Sequence, residues 1–303
     1  MAASAERDPS GVSTLPPMRF AITGAAGMLG QDLLAAAKAA GHEVVGFSSA
    51  DLDITDAEAV EQILGAARAD VVVNCAAWTD VDGAERDEDG ALAVNGAGAG
   101  NVARAAAAAG AWVIHISSDY VFDGSKRTPY LESDLTEPLS AYGRSKLAGD
   151  RAVANAAPGR HTIVRSSWLF GAGGSCFPAT IMRLAGERDE LNVVDDQVGC
   201  PTFTGHLARA VVELGGRPSR PVGIVHVAGG GSCSWYGFAR EIVARAGLSC
   251  QVKPCTTAEM PRPARRPAYS VLRSERGDQV PSLSDWRQGL AEYFALIRVG
   301  SAR

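Results

Sequence analysis

Short runs that are almost wholly apolar alternate with stretches of helical spacing from Arg19 to Arg165. The runs are Arg19-Phe-Ala-Ile-Thr23, Glu43 to Phe47, Asp70-Val-Val-Val-Asn74, Ala111 to Ile116 and Thr162 to Arg165. Between them lie Met28 to Ala40, stopped by Gly41, and Ala57 to Ala67, with Asp56 placed to cap it. Ala91 to Ala109, closed by Gly110, and Leu139 to Ala156 complete the series. A strand that is apolar along its whole length is covered on both faces, whereas a sheet with one wet face alternates. The pattern predicts an α/β fold, a Rossmann-like doubly wound parallel sheet. Past residue 165 the alternation loosens into Gly- and Pro-rich loops at 171–178, 199–205 and 261–267. That suits a smaller C-terminal lobe folded against the sheet's carboxyl edge. No internal repeat is evident.

The turn after the first strand reads Gly24-Ala-Ala-Gly27-Met-Leu-Gly30. In a strand–turn–helix context the first glycine permits the tight turn and the second lets backbone approach a pyrophosphate. The third lets the helix pack closely on the sheet. The helix N-terminus adds amide donors and the positive end of its dipole. This predicts a dinucleotide cofactor on Gly24, Gly27 and Gly30. The end of the second strand usually selects between cofactors, an acid holding the ribose hydroxyls of NAD and a basic or small polar pocket taking the 2′-phosphate of NADP. Here it reads Phe47-Ser48-Ser49, which lacks the acid and tilts the expectation to NADPH, with NADH as the alternative. Asp53 either bonds the adenine amine or serves a turn. The expected organisation is a disordered extension at 1–17, a dinucleotide-binding domain at 18–165, and a mainly substrate-binding lobe at 166–303 with an interleaved boundary.

Tyr142-Gly-Arg-Ser-Lys146 lies downstream of a strand that leads into Ser117-Ser118. Residues four apart share a helix face, so the Tyr142 hydroxyl and Lys146 ammonium can enter one pocket. A cation beside a phenol lowers its pKa, which makes Tyr142 the expected proton donor. Ser118 stands at the carboxyl edge, where open α/β sheets hold ligands, and its hydroxyl can donate to a carbonyl oxygen as charge develops. Ser117 should point elsewhere. With hydride supplied by the cofactor and the proton by Tyr142, no metal is needed.

Bulk properties exclude other classes. The 303 residues are 46% hydrophobic, enough for a core, and the net charge of −5 offers no field for nucleic acid. Arg262, Arg265 and Arg266 form the one tight basic cluster, either a solvated loop or a phosphate contact. Six cysteines show no CxxC pair, which fits a reducing cytoplasm. No apolar stretch approaches the roughly 20 residues of a membrane helix. The first 17 residues lack the apolar segment of a secretory signal, and Met18 is an alternative start.

Several blocks resemble the extended short-chain dehydrogenase/reductases and, within them, the dTDP-4-dehydrorhamnose reductase family. They are Asn74-Cys-Ala-Ala-Trp-Thr-Asp-Val-Asp-Gly-Ala-Glu85, Ile114-His-Ile-Ser-Ser-Asp-Tyr-Val-Phe-Asp-Gly124 and Ala141-Tyr-Gly-Arg-Ser-Lys-Leu-Ala-Gly149. Val164-Arg-Ser-Ser-Trp-Leu-Phe170, Val194-Asp-Asp-Gln-Val-Gly-Cys-Pro-Thr202 and Pro261-Arg-Pro-Ala-Arg-Arg-Pro267 extend the likeness almost to the C-terminus. The resemblance implies reduction of the C4 ketone of dTDP-4-dehydro-β-L-rhamnose to dTDP-β-L-rhamnose. It implies Ser118, Tyr142 and Lys146 as catalytic, with serine where many members carry threonine. Gly27, Met28, Leu29, Asp53, Ile54, Ala77, Trp78 and Thr79 match cofactor-contacting positions. Val81 and Trp168 match positions near the sugar, Trp168 having core filler as its bland alternative.

Related dehydratases follow the catalytic hydroxyl residue with Asp-Glu, whereas Ser118 is followed by Asp119-Tyr120; related C4 epimerases lack the Asp-Tyr-Val-Phe-Asp-Gly run. Some relatives are dimers bridged by a divalent cation. Asp32 keeps an acid on the first helix, but Thr204-Gly205-His206 lacks the glutamate, so no structural metal is expected and a monomer or homodimer stays open. The expected partner is a small-molecule nucleotide sugar. The alternatives are another nucleotide-linked 4-keto-6-deoxysugar as substrate, or a non-catalytic regulatory subunit of the methionine adenosyltransferase type. The complete Ser118, Tyr142 and Lys146 set argues against the last.

Overall fold

The computed structural model describes residues 17–301, so the expected extension at 1–17 lies, but for Pro17, outside the described residues. The chain opens with β1 (Arg19–Thr23), α1 (Met28–Ala39), β2 (Glu43–Phe47), α2 (Ala57–Ala67) and β3 (Val71–Asn74). Asp56 caps α2 as expected, its carboxylate accepting from the amides of Glu58 and Ala59. Next come α3 (Val81–Ala84), α4 (Glu88–Leu92), a π-helical turn (Ala93–Gly98) and α5 (Ala99–Ala108). They are followed by β4 (Trp112–Ser118), α6 (Ala141–Ala156) and β5 (His161–Ser166).

These strands form the parallel sheet that the apolar runs predict, in the order β2-β1-β3-β4-β5. The chain leaves β1 toward β2 on one side and returns to β3 on the other. The carboxyl ends of β1 and β3 therefore make the switch point at which such sheets hold ligands. There Thr23 Oγ1 donates to Asn74 Oδ1 at 2.7 Å. Two helical layers seal the sheet. Leu29 and Leu33 pack with Ile22, Val73 and Ile114 on one face. Val60, Leu64 and Val102 pack with Val72 and Val113 on the other.

Two differences from expectation bear on the site. The helix expected over 91–109 is broken by the π-helical turn, which falls on Asn95, a residue that does not favour helix interiors. β4 runs two residues beyond Ile116, because Ser117 and Ser118 stay in register with Arg165 and Ser166 of β5.

After β5 come β6 (Leu169–Phe170), α7 (Phe177–Glu187), β7 (Glu190–Val194), β8 (Val198–Gly199) and β9 (Thr202–Phe203). The chain then forms α8 (Thr204–Gly216), β10 (Gly223–His226), β11 (Cys233–Ser234), α9 (Trp235–Ala246), β12 (Gln251–Cys255) and α10 (Trp286–Ser301). α8 packs against α1, and β10 adds a sixth parallel strand beside β5. The rest forms its own core, with Phe170, Phe238, Ile242, Trp286 and Leu290 buried together. Among the described residues, no helix is long and apolar enough to cross a membrane.

One ionic contact lies deep in the structure. Arg165 at the end of β5 donates through Nε and Nη2 to Asp150 Oδ2 of α6, at 3.1 and 3.0 Å. The side chains are only 2% and 4% exposed. The guanidinium also lies over the Phe122 ring, 5.3 Å from its centroid.

Candidate active site

The glycine turn is shaped by contacts no other residue allows. Gly24 has φ of 68°, and a Cβ there would lie 2.6 Å from the amide nitrogen of Ala76. A Cβ on Gly30 would overlap the carbonyl oxygen of Gly24, which ties the first turn of α1 to the loop. The N-terminus of α1 has no side-chain cap and no acid in its first turn, whereas Asp56, Ser140 and Ser234 cap α2, α6 and α9. Gly27 is exposed at this end. The Gly27 amide itself donates to the Gly24 carbonyl at 3.0 Å; the uncapped amides of the first turn of α1, at the switch point, fit the pyrophosphate of a dinucleotide.

Other expected cofactor positions surround the same edge. Met28 packs toward the C-terminal core. The Leu29 and Ile54 side chains are buried in the two sheet cores, so only their backbone faces a ligand. Ser48 donates to Asp51 Oδ2 at 2.6 Å, which sets a carboxylate four residues beyond the acid-free end of β2. Asp53 serves a turn, its Oδ1 accepting from the Thr55 amide and hydroxyl at 2.9 and 2.8 Å. Ala77, Trp78 and Thr79 follow β3. Trp78 and Tyr142 pack on one small cluster with Ala84, Ala91 and Ala141.

Sequence reasoning missed Asn95. Its Oδ1 accepts from the Trp78 amide at 2.9 Å, and its Nδ2 reaches the Trp78 carbonyl and Ser145 Oγ at 3.1 and 2.9 Å. It fastens the 77–79 strip to the helix that carries Tyr142 and Lys146. A buried amide within an alanine-rich helix was the available signal.

Ser118 and Tyr142 come together: the Ser118 hydroxyl faces the Tyr142 phenol closely enough to act on its pKa. Ser118 also donates to Asp119 Oδ1 at 3.2 Å and accepts from the Tyr120 amide at 3.1 Å. Ser117, on the other face of the strand, turns toward Asp150. Lys146 is buried, and its Nζ donates to the Ile116 carbonyl at 2.7 Å. The electrostatics correct one expectation. Burial pushes the Tyr142 phenol up to about 12, against the Ser118 hydrogen bond that lowers it, with the Asp119 charge adding to the rise. Burial also brings Lys146 down to about 8, while Asp150 and Cys75 hold it up. Desolvation outweighs any lowering of the Tyr142 phenol by the lysine.

Asp119 is 1% exposed. Its carboxyl is pushed up to about 7 by burial, with hydrogen bonds from Ser270 and Ser118 opposing. The native state thus binds more protons than the unfolded chain between the ordinary 3.8 and about 7, so this group makes stability fall as pH rises through that window. Asp119→Asn should abolish that contribution. In urea unfolding, the variant should gain on wild type from pH 4 to 7 and hold a constant difference above; parallel curves would contradict it.

On the C-terminal side, a cleft of about 570 Å³ is lined by residues including Phe177, Gln197, Trp235, Arg262 and Arg266. Two members of the basic cluster thus face one cavity; Arg265 is not among its lining residues. Trp168 follows β5 with φ of 47°, a strained conformation for a bulky residue. Its indole stacks on Trp235 with centroids 3.4 Å apart and planes within 3°. Val81 begins α3, beside the 77–79 strip. A larger groove of about 960 Å³ between α1, α8 and α10 includes none of Ser118, Tyr142 and Lys146. Among the described residues, no group of three or more His, Cys, Asp or Glu side chains could hold a metal ion.

A glycine turn at the switch point of a parallel sheet, with Ser, Tyr and Lys at its carboxyl edge, defines a Rossmann-fold oxidoreductase of the extended short-chain type. More narrowly, the chain belongs to the family of the RmlD substrate binding domain, whose model matches residues 18–299. It is 45% identical over 284 residues to the dTDP-4-dehydrorhamnose reductase of Mycolicibacterium smegmatis, covering 92% of this chain and 86% of that one. It is 39% identical to the dTDP-4-keto-6-deoxy-D-glucose reductase of Streptomyces niveus, covering 92% and 97%. The dTDP-4-dehydrorhamnose reductase of Bacillus anthracis, solved in complex with NADP, superposes with a TM-score of 0.88 at 36% identity, covering 92% and 99%.

Proposed function

We propose that this chain reduces the C4 ketone of dTDP-4-dehydro-β-L-rhamnose to dTDP-β-L-rhamnose with NADPH, and accepts NADH. The observation that carries the reading is the pair of Ser118 and Tyr142 hydroxyls facing each other at the carboxyl edge that also holds the glycine turn, in a chain 45% identical to a dTDP-4-dehydrorhamnose reductase. The NADP complex of the Bacillus anthracis relative supports NADPH. The Ser48–Asp51 contact keeps a carboxylate near the place of the adenosine ribose and supports NADH as well.

A bound nicotinamide supplies the hydride. Ser118 donates to the ketone oxygen and Tyr142 gives it a proton as it becomes an alkoxide. A phenol near 12 stays protonated at neutral pH, yet it is acidic enough to quench an alkoxide. Lys146 orients the nicotinamide ribose and stabilises the phenolate left behind. Residues 18–165 hold the cofactor. Most of 166–303 holds the nucleotide sugar, with Arg262 at the diphosphate and Trp168 and Val81 beside the sugar.

The Streptomyces niveus relative favours a second reading, in which another dTDP-linked 4-keto-6-deoxysugar is reduced. Oxidation of NADPH and of NADH, followed at 340 nm with both ketosugars, tests the proposal. The rhamnose precursor should give the higher kcat/KM. Preference for the other sugar selects the second reading, and no turnover of either rejects both.

A further inference from the structure

Tyr120 touches both hydroxyl-bearing residues of the site. Its amide donates to Ser118 Oγ at 3.1 Å. Its ring meets that of Tyr142 edge-on, with centroids 5.5 Å apart and planes at 80°. The Tyr120 carbonyl oxygen also lies so close to Gly143 that a Cβ there would overlap it. The residue therefore braces the first turn of α6 as well as the phenol.

The hydroxyl of Tyr120 leads away from the site. It faces Arg266, in the loop at 261–267, whose guanidinium acts on the phenol. Asp82 of α3 grips that guanidinium with both oxygens, Nη1 to Oδ1 at 3.1 Å and Nη2 to Oδ2 at 3.0 Å. Asp82 Oδ1 also accepts from the Ala264 amide at 3.1 Å. The two side chains are 19% and 21% exposed, so the pair is shielded from water. A planar fork held at two points fixes direction as well as distance. Arg266 lines the 570 Å³ cleft, but its charge is already matched by Asp82. An arginine committed in this way orders its surroundings more than it attracts an anion.

We propose that Tyr120 is a positioning residue which, held by the Asp82–Arg266 pair, orients the Tyr142 phenol and the Ser118 hydroxyl. Docking of the 261–267 loop on α3 and alignment of the proton donor are then one event. The functional consequence rests on the reductase reading; the orientation itself does not.

Tyr120→Phe keeps the ring against Tyr142 and removes only the link to Arg266. Asp82→Asn keeps the size of the carboxylate and removes its charge. Each should lower kcat by about tenfold, because small misplacements of reacting groups are costly. Affinities for dTDP and NADPH, measured by titration calorimetry, should stay within about twofold. The double variant should lose no more than the worse single one, since both break the same chain of contacts. Unchanged kcat in Tyr120→Phe, losses that multiply, or a loss confined to dTDP affinity would overturn the proposal. Spectra of ¹³C-labelled tyrosine, assigned with Tyr142→Phe, provide a readout without turnover. The Tyr142 Cζ resonance should move in both variants. A resonance that stays in place overturns the orientation even if wild type reduces no ketosugar, and a resonance that moves supports it in that case too.

Discussion

Tyr142→Phe should lower kcat by about 10²-fold or more, the usual effect of removing a general acid. That is roughly 2.7 kcal/mol of transition-state stabilisation. Affinities for NADPH and dTDP should remain within about twofold, because the ring stays and only the reacting oxygen is lost. The wild-type pH profile gives an independent check. A phenol near 12 does not titrate in the working range, so the alkaline loss should belong to Lys146, whose ammonium gives way near 8, one step above the Asp119 carboxyl, which ionises near 7. The rate should therefore be flat below about 8 on the lysine's account and decline above it. Turnover unchanged in the variant would remove Tyr142 from the chemistry.

Asp150→Ala should destabilise the protein by about 3–5 kcal/mol, because it strands the Arg165 guanidinium in a site only 2% exposed. In thermal unfolding this corresponds to a fall in midpoint on the order of 5–10 °C. Replacing both partners with apolar residues of similar volume should restore much of that loss, since the cost comes from the unpaired charge. The carboxylate also holds Lys146 up against burial. In Asp150→Ala the alkaline decline in rate should therefore start at lower pH. Unfolding curves that overlay wild type would contradict the stability argument, and an unmoved decline would contradict the link to Lys146.

The sheet and the glycine turn were legible because both faces of each strand are covered and because close approaches exclude a Cβ at Gly24 and Gly30. What escaped the sequence depended on neighbours from elsewhere in the chain. β4 ran past its apolar stretch because Ser117 and Ser118 were paired by β5. Asn95 turned a smooth alanine-rich helix into a π-helical turn by bonding the 77–79 strip. The positions of Ser118 and Tyr142 could be anticipated, but the direction of the Tyr142 shift could not. Helical spacing puts Tyr142 and Lys146 on one face but does not tell how deeply they lie, and depth decided the sign. The basic cluster was visible as a cluster. That both Arg262 and Arg266 line the cleft while Arg266 is tied to Asp82 required α3 and the late loop to meet.

The indole of Trp168 constrains how this protein can diverge. A Cβ on Gly199 would overlap its Cε2 and Nε1 atoms, and Trp235 stacks on the ring with centroids 3.4 Å apart. Position 199 is therefore closed to every other amino acid while Trp168 remains. A lineage that replaces Gly199 would have to change the tryptophan first, which makes the order of substitutions matter.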